Sequence, residues 1–166
     1  MTPAVTDSPL GTRRCPLHGV GPHPMLSSRP PARIRVTDGD VPPDAADGIV
    51  LPIGPNRWWI VDDEEPTETQ MADPREAIEL SHAMTRIRLQ GDRAVTVLVA
   101  GITIDLHPSV FTVGSVAVTP FRDIFVVLHA RADAEFDLYT PRSSAPSLWE
   151  WLVDAHAGLE STSTTN

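Results

Sequence analysis

The sequence predicts an α+β fold, a compact antiparallel sheet with packed helices. Its 166 residues amount to one domain, and 41% of them are hydrophobic, enough for a core without disulfides. Three short runs between residues 115 and 139 alternate apolar and polar residues and are separated by tight turns, as in an antiparallel meander. The apolar run 146–158 predicts a C-terminal helix, so strands and helices are segregated along the chain.

Prolines dominate the N-terminal third, where 11 of the 17 fall within the first 55 residues. Each removes a backbone donor and fixes φ, which disfavours regular structure. We therefore expect residues 1–31 to form an extended, poorly packed arm and residues 161–166 a disordered polar tail. The single domain lies between them, at 32–160.

The first half of that domain is predicted to hold short strands. Residues 33–36 alternate and could form a strand, whereas 39–48 is a loop by its Pro, Asp and Gly content. The turn Gly54-Pro55-Asn56 separates two apolar runs, so strands are expected at 49–53 and 57–61.

An acidic loop is expected at 62–68. Asp73 and Pro74 then supply an N-cap and a proline at the first helical position, which predicts a short helix over 75–80.

The second half of the domain is more regular. Residues 83–89 alternate as in a strand, which Gln90-Gly91-Asp92 closes. Residues 93–100 are ambiguous, because their apolar run suits both a strand and a buried helix. Three strands are expected at 115–119, 124–129 and 135–139. The last helix, 146–158, is expected to end at Gly158.

The charge excludes two classes of partner. With 13 Arg, no Lys and 22 acidic residues, the chain carries a net charge of −9. Nucleic acid and anionic membranes both require a basic face, so neither is expected as a partner. No apolar run is long enough for a spanning helix, no apolar secretory segment follows Arg13 and Arg14, and Cys15 is the single cysteine. These features favour a cytoplasmic protein.

Few residues suggest chemistry. Cys15, His18 and His23 are possible metal ligands, but a structural zinc site needs a fourth ligand, and none is nearby. Asp105 and His107 could lie on one side of an extended segment, as an acid orienting an imidazole would, or simply end a strand. Nucleotide-binding motifs and a nucleophile elbow are absent. We therefore expect no catalytic, cofactor-binding or metal-binding residue in this chain.

The tryptophans suggest an interface instead. Trp58 and Trp59 are adjacent in a strand, so their side chains lie on opposite faces. In the last helix Trp149 and Trp151 lie roughly 200° apart, so apolar residues cover most of its circumference. Either the N-terminal arm or a second protein covers this surface. We predict that Trp58 and Trp151 contact a partner subunit.

Several separate motifs in the C-terminal half carry a family resemblance. The chain resembles the gamma subunit of heterotetrameric sarcosine oxidase. The motifs are Ser81-His82, Arg88-Leu89-Gln90-Gly91, Ile104-Asp105-Leu106-His107-Pro108-Ser109-Val110-Phe111, Phe136-Asp137-Leu138-Tyr139-Thr140-Pro141-Arg142-Ser143 and Leu148-Trp149-Glu150-Trp151-Leu152. Upstream, Gly54-Pro55-Asn56-Arg57-Trp58-Trp59 is similar to that family's LGPDEWL turn and strand.

The resemblance implies a small, non-catalytic structural subunit. Its fold would be similar to the folate-binding aminomethyltransferase type, with a helix at 93–100. The family's enzyme demethylates sarcosine oxidatively to glycine and passes the one-carbon unit to tetrahydrofolate. FAD, FMN, NAD, zinc and tetrahydrofolate are then expected on other subunits and none on this chain, whose partners would be the alpha, beta and delta subunits.

Three alternatives stay open. A related dehydrogenase of N-methylated amino acids shares the pattern, so the chain could be a subunit of that enzyme. A free-standing binding module also combines antiparallel strands with a final helix, although a lipid-binding module usually needs a basic loop. An independent folate-dependent methyltransferase would need a carboxylate at the pterin and a complete second half, and neither is evident.

Overall fold

The computed structural model describes residues 15–17, 20–29, 31, 33–44, 48–63 and 77–163, with side chains as far as 159. These residues form nine strands and two helices. In chain order they are β1 (Leu26–Ser28), β2 (Arg33–Asp38), β3 (Ile49–Gly54), β4 (Arg57–Asp62), β5 (Ile78–Glu79), β6 (Met84–Gln90), α1 (Ala94–Val99), β7 (Val116–Phe121), β8 (Ile124–Ala132), β9 (Glu135–Pro141) and α2 (Ala145–Ser163).

A five-stranded antiparallel sheet in the order β1-β6-β9-β8-β7 is the centre of the fold. Side chains of alternate residues leave opposite faces of a strand. One face packs against both helices in an apolar core that includes Leu128, Leu138, Leu148 and Leu152, each with no exposed surface. Burial of these side chains, each stabilising by about 1.5–3 kcal/mol, fixes the helices on this face.

A second antiparallel sheet, in the order β3-β4-β2-β5, packs on the other face. Its inward side chains, among them Ile34, Leu51 and Trp59, share a core with Val127 and Tyr139 of the five-stranded sheet. The rings of Trp59 and Tyr139 meet edge to face, with centroids 6.1 Å apart. The chain is therefore α+β, as predicted, but it is built on two stacked sheets rather than one.

Several predicted elements are confirmed. β7, β8 and β9 form the predicted antiparallel meander. β3 and β4 form the predicted hairpin, and Asn56 in its turn has a φ of 55°, a left-handed conformation that asparagine tolerates well. The ambiguous run 93–100 forms the helix α1, in agreement with the family resemblance.

The short helix predicted over 75–80 is wrong where it can be checked. Residues 75 and 76 lie outside the described residues, and Ile78–Glu79 is the strand β5. It pairs with β2, and Arg33 Nε lies 3.0 Å from Glu79 Oε2 across the pair. Pairing on the free edge of β2 outweighs the local helix signal, because cross-strand contacts outweigh the weak propensity of a short segment.

The prediction of a poorly packed arm over residues 1–31 also needs correction. Residues 1–14 lie outside the described part, but Leu26–Ser28 pairs with β6 as an edge strand. Leu17, Met25 and Leu26 are buried in the helix-side core. The prediction relied on the proline content of this segment and overlooked the apolar pair Met25-Leu26, which packs in the core.

The C-terminal helix is longer than predicted, because α2 continues past Gly158 to Ser163. A glycine inside a helix costs only about 1 kcal/mol relative to alanine, so it does not by itself end one. The first three residues of the predicted disordered tail are therefore helical, and 164–166 lie outside the described residues. In the part of the chain that the structure describes, no helix is both long and apolar enough to cross a membrane.

Candidate functional site

Cys15 and His23, two of the three residues considered as possible metal ligands, belong to no metal-binding group among the described residues. Cys15 Sγ lies 3.0 Å from Ser28 Oγ, whereas His23 Nδ1 accepts a hydrogen bond from the Met25 backbone N–H at 3.2 Å. His18 lies outside the described residues. Among the described residues, no group of three or more His, Cys, Asp or Glu side chains could hold a metal ion.

Asp105 and His107 are close together, but not as an acid and an imidazole. Asp105 Oδ1 accepts a hydrogen bond from the backbone N–H of His107 at 2.8 Å, so the carboxylate closes a turn. The imidazole Nδ1 of His107 lies 2.7 Å from Ser109 Oγ instead, and all three residues are exposed. The segment is a loop rather than a strand end. This arrangement stabilises the local turns, and Asp105 does not orient the imidazole of His107.

The two tryptophans predicted at an interface are both half-buried. Trp58 lies on the outer face of the four-stranded sheet, where its Nε1 donates to the Gly39 carbonyl at 2.9 Å. Trp151 packs at the margin of the helix-side core, and the guanidinium carbon of Arg122 lies 5.0 Å from its ring centroid. Each ring therefore has contacts within the chain and a remaining exposed part. The structure tests neither as a subunit contact.

Among the described residues, the largest network of ion pairs lies elsewhere, on the face of the five-stranded sheet opposite the helices. We call it the charged patch. It comprises Arg86, Arg88, Arg131, Asp63, Glu135 and Asp137.

Asp137 is the centre of the charged patch and has no exposed surface. Arg88 donates to it twice, from Nε to Oδ1 at 2.7 Å and from Nη2 to Oδ2 at 3.0 Å. Arg86 Nη1 lies 3.6 Å and Arg131 Nη1 3.9 Å from Oδ2. Bidentate pairing of this kind is among the stronger interactions that a buried carboxylate can make.

Asp63 links the two sheets. It follows β4 of the four-stranded sheet, and its Oδ1 lies 2.7 Å from Arg86 Nη1 in β6 of the other sheet. Its Oδ2 is also 3.8 Å from Arg131 Nη2. Arg86 Nε in turn donates to the Arg29 carbonyl at 2.7 Å, just beyond β1. The charged patch therefore connects three parts of the chain that are distant in sequence.

The electrostatics keep the arginines charged and the neighbouring polar groups neutral. The bidentate contact with Asp137 raises the pKa of Arg88. Burial works against the charge on Arg86, but Tyr139, Asp137 and Asp63 outweigh it and raise its pKa. Burial raises the pKa of Tyr139 to about 12. It lowers the pKa of His129, and three nearby arginines act in the same direction while Asp137 opposes them.

The charged patch was not predicted from the sequence, although the alternation of residues in its strands contained a signal. In β6, Arg86 and Arg88 alternate with the buried Ile87 and Leu89. In β9, Glu135 and Asp137 alternate with Phe136 and Leu138 in the same way. Basic residues at alternate positions of one strand, with acidic residues in another, indicate facing charges once the strands pair. Which strands pair was not evident from the sequence.

The charged groups of the patch are paired with one another. Its three arginines are each within 4 Å of at least two carboxylates, so none of these three guanidinium groups is free to bind a substrate anion. Arginines do not exchange protons near neutral pH. The arrangement therefore positions the two sheets and contains no evident nucleophile with an activating base.

Comparisons with known proteins agree with one another. A model of the sarcosine oxidase gamma subunit family matches residues 72–158, more than half of the chain. Sarcosine oxidase subunit gamma from Corynebacterium sp. (strain U-96) is 26% identical over 152 residues, which cover 88% of this chain and 73% of that protein.

A solved structure has the same fold. It is the heterotetrameric sarcosine oxidase from Corynebacterium sp. U-96 in complex with pyrrole 2-carboxylate, one chain of which matches with a TM-score of 0.69 at 20% identity. The match covers 80% of this chain and 83% of that chain. The family match spans the strands of the charged patch and most of α2, and the family resemblance is confirmed. This chain belongs to the sarcosine oxidase gamma subunit family.

Proposed function

We propose that this chain is the gamma subunit of a heterotetrameric sarcosine oxidase and that its role is structural. The family match over 72–158 is the observation that carries the proposal. The structural part of the role is supported by the site itself, because the charged patch is occupied by its own counter-charges. The exposed pair Asp105 and His107 likewise only closes turns.

The partners and cofactors of the complex are part of the same proposal. The partners are the alpha, beta and delta subunits, which hold FAD, FMN, NAD, zinc and tetrahydrofolate, and this chain holds none of them. The chain resembles the folate-binding aminomethyltransferase type in fold and acts in the cytoplasm. These statements rest on the sequence resemblance.

Trp58 and Trp151 are proposed as contacts with the larger subunits. Each ring is half-buried within the chain, so association could cover the remaining part of a rigid, already oriented aromatic side chain. Aromatic residues of this kind are enriched among the residues that dominate binding energy. Trp58 lies on β4 and Trp151 on α2, so the two residues test two separate surfaces for subunit contact.

Copurification tests the proposal. The chain is tagged, purified from its native cells, and the eluate is analysed for flavin absorbance and for sarcosine oxidation. We expect the tagged chain to elute with flavin-bearing subunits in equal amounts. Full sarcosine oxidation by an assembly that lacks this chain would contradict a structural role. Elution of the chain without flavoprotein would contradict membership of the complex.

Two variants locate the interface. Trp58→Ala and Trp151→Ala are each expected to weaken association by about 2 kcal/mol, the usual loss at a residue that dominates binding. Phe125→Ala is the matched control, because Phe125 is 44% exposed and lies on β8, not on the strand or helix that carries either tryptophan. A loss of association from the control alone would place the interface on the five-stranded sheet.

A further inference from the structure

His129 is a buried imidazole beside the charged patch. It lies in β8 between Val127, which packs in the core between the sheets, and Arg131, which reaches Asp63, and all three share one face of the strand. Only 7% of its surface is exposed. Its Nδ1 is buried and makes no hydrogen bond within the described part of the chain. A buried polar atom without a partner is uncommon and is sensitive to any change in charge.

Charged groups face His129 from every neighbouring element except one. Asp137 of β9 is its direct cross-strand partner, with Glu135 and Tyr139 on the same face. Arg86 and Arg88 lie beyond them in β6, Arg131 follows in β8, and Asp63 comes from the end of β4. On the other side, β7 offers only Val116.

The charges of the patch balance only while the imidazole is neutral. Three arginines and three carboxylates sum to zero, so a proton on His129 gives a buried group an unbalanced positive charge. The carboxylates that could accept this proton in a hydrogen bond are already held by arginines, most tightly Asp137 by Arg88. Unbalanced buried charge is costly, so structure that lets water in becomes favourable.

We propose that His129 is an acid-sensitive switch: a proton on its imidazole unbalances the charged patch and loosens the contact that Asp63 makes between the two sheets. The ion pair of Asp63 with Arg86 is the contact that breaks, because the Asp63 side chain is 39% exposed. Asp137, in contrast, is fully buried and accepts two hydrogen bonds from Arg88. The helices stay packed on the opposite face of the five-stranded sheet, because those contacts are apolar and do not respond to protons.

The direction with pH follows from burial. Desolvation lowers the pKa of His129 below its ordinary value of 6.5, and Arg131, Arg86 and Arg88 lower it further against the opposing effect of Asp137. Well above pH 6.5 the imidazole is neutral whether the sheets are closed or open, so the opening equilibrium does not depend on pH there. Below it, the open form takes up the proton first. The opening equilibrium is then expected to rise by up to about tenfold per pH unit until the closed form also protonates.

Hydrogen exchange detected by mass spectrometry tests the proposal on the full-length chain. Exchange is followed at about pH 7.5 and pH 5.5 and corrected for its intrinsic pH dependence, and the expected shift is up to about tenfold per pH unit. We expect faster opening at acid pH in peptides that cover 57–63 and 124–132, and no change in 145–159. His129→Gln and His129→Leu should remove the acid effect. His82→Gln, which changes an exposed histidine, should retain it.

Each outcome decides the proposal. Acid acceleration confined to the two named regions and lost in either His129 variant supports it. A wild-type chain whose corrected exchange is the same at both pH values overturns it, even if neither variant folds. Equal acceleration in wild type and in a folded His129 variant also overturns it, because another group would then be responsible.

Discussion

The two faces of the five-stranded sheet are stabilised in different ways. The face under α1 and α2 is almost wholly apolar, with Leu128 and Leu138 fully buried. The opposite face starts in the same way, at Val127 and Tyr139, but within two residues along β8 and β9 it becomes the charged patch. The same strands supply both faces, since their side chains alternate.

Because of this difference, the two faces are expected to respond differently to mutation and to pH. An apolar core is non-directional, so its stability follows the area buried and depends little on pH. A buried charged cluster depends on every partner, because removing one leaves another unpaired. We therefore expect the helix-covered face to respond to volume and the other face to charge and pH.

The largest expected effect is on the helix-covered face. Trp149 is 7% exposed and packs in the core with Leu148 and Leu152, so Trp149→Ala should reduce the free energy of unfolding by about 3–5 kcal/mol. Trp151 is half-buried and is the matched control. Trp151→Ala should cost markedly less, and urea denaturation of both variants measures the difference. Equal losses would place both rings in one core.

Asp137 is the corresponding test of the other face. Asp137→Ala leaves Arg88 without its bidentate partner and should cost about 3 kcal/mol, because Glu135 and Asp63 still offset part of the unpaired charge. Asp38→Ala removes an exposed ion pair with Arg57 and should leave the urea midpoint nearly unchanged. If Asp137→Ala were as harmless as Asp38→Ala, the charged patch would not hold the sheets together.

Tyr139 reports on burial at the boundary between apolar core and charged patch. It is the single tyrosine of the chain, so the ultraviolet absorbance of tyrosinate follows it alone. We expect a pKa of about 12 in the folded chain and about 10 in denaturant. Since the unfolded chain ionises first, stability should be unaffected below pH 10 and fall between pH 10 and 12 by up to about 3 kcal/mol. Ionisation near pH 10 without unfolding would mean that the phenol is accessible to water.

Two glycines give the smallest effects, and these should have opposite signs. A Cβ at Gly101 would overlap ring carbons of Phe121, which is fully buried. Gly101→Ala should therefore destabilise the helix-covered face by about 1–3 kcal/mol. Gly158→Ala lies inside α2, where nothing in the described chain apart from the helix's own backbone comes within 4 Å of the added carbon, and should stabilise by about 0.5–1 kcal/mol. Thermal denaturation of both variants checks the signs, and a stabilised Gly101→Ala would mean that the ring of Phe121 can move.

Local sequence signals were sufficient for the hairpins and for α2. Alternating residues and the turn at Asn56 predicted β3, β4 and the meander β7–β9, because both depend on neighbours in the chain. The strand at Ile78–Glu79 was wrongly predicted to be part of a helix, because it does not depend on neighbours in the chain. It depends on the edge of β2, more than 40 residues away, and a local N-cap signal cannot anticipate that contact.

The candidate site, like the fold, could be predicted only in part from the sequence. The family and the absence of nucleotide-binding motifs were evident from the sequence. So was the alternation that places Arg86 and Arg88 on one face of β6, and Asp137 and Tyr139 on one face of β9. Only the tertiary structure decided that Arg88 faces Asp137 across β6 and β9, and that Asp63 reaches Arg86 from the second sheet. The physical reason is that ion pairing acts over only a few ångströms. Arg88 and Asp137 are 49 positions apart and meet only when β6 and β9 pair, whereas Asp63 and Arg86 are 23 positions apart and meet only when the two sheets stack.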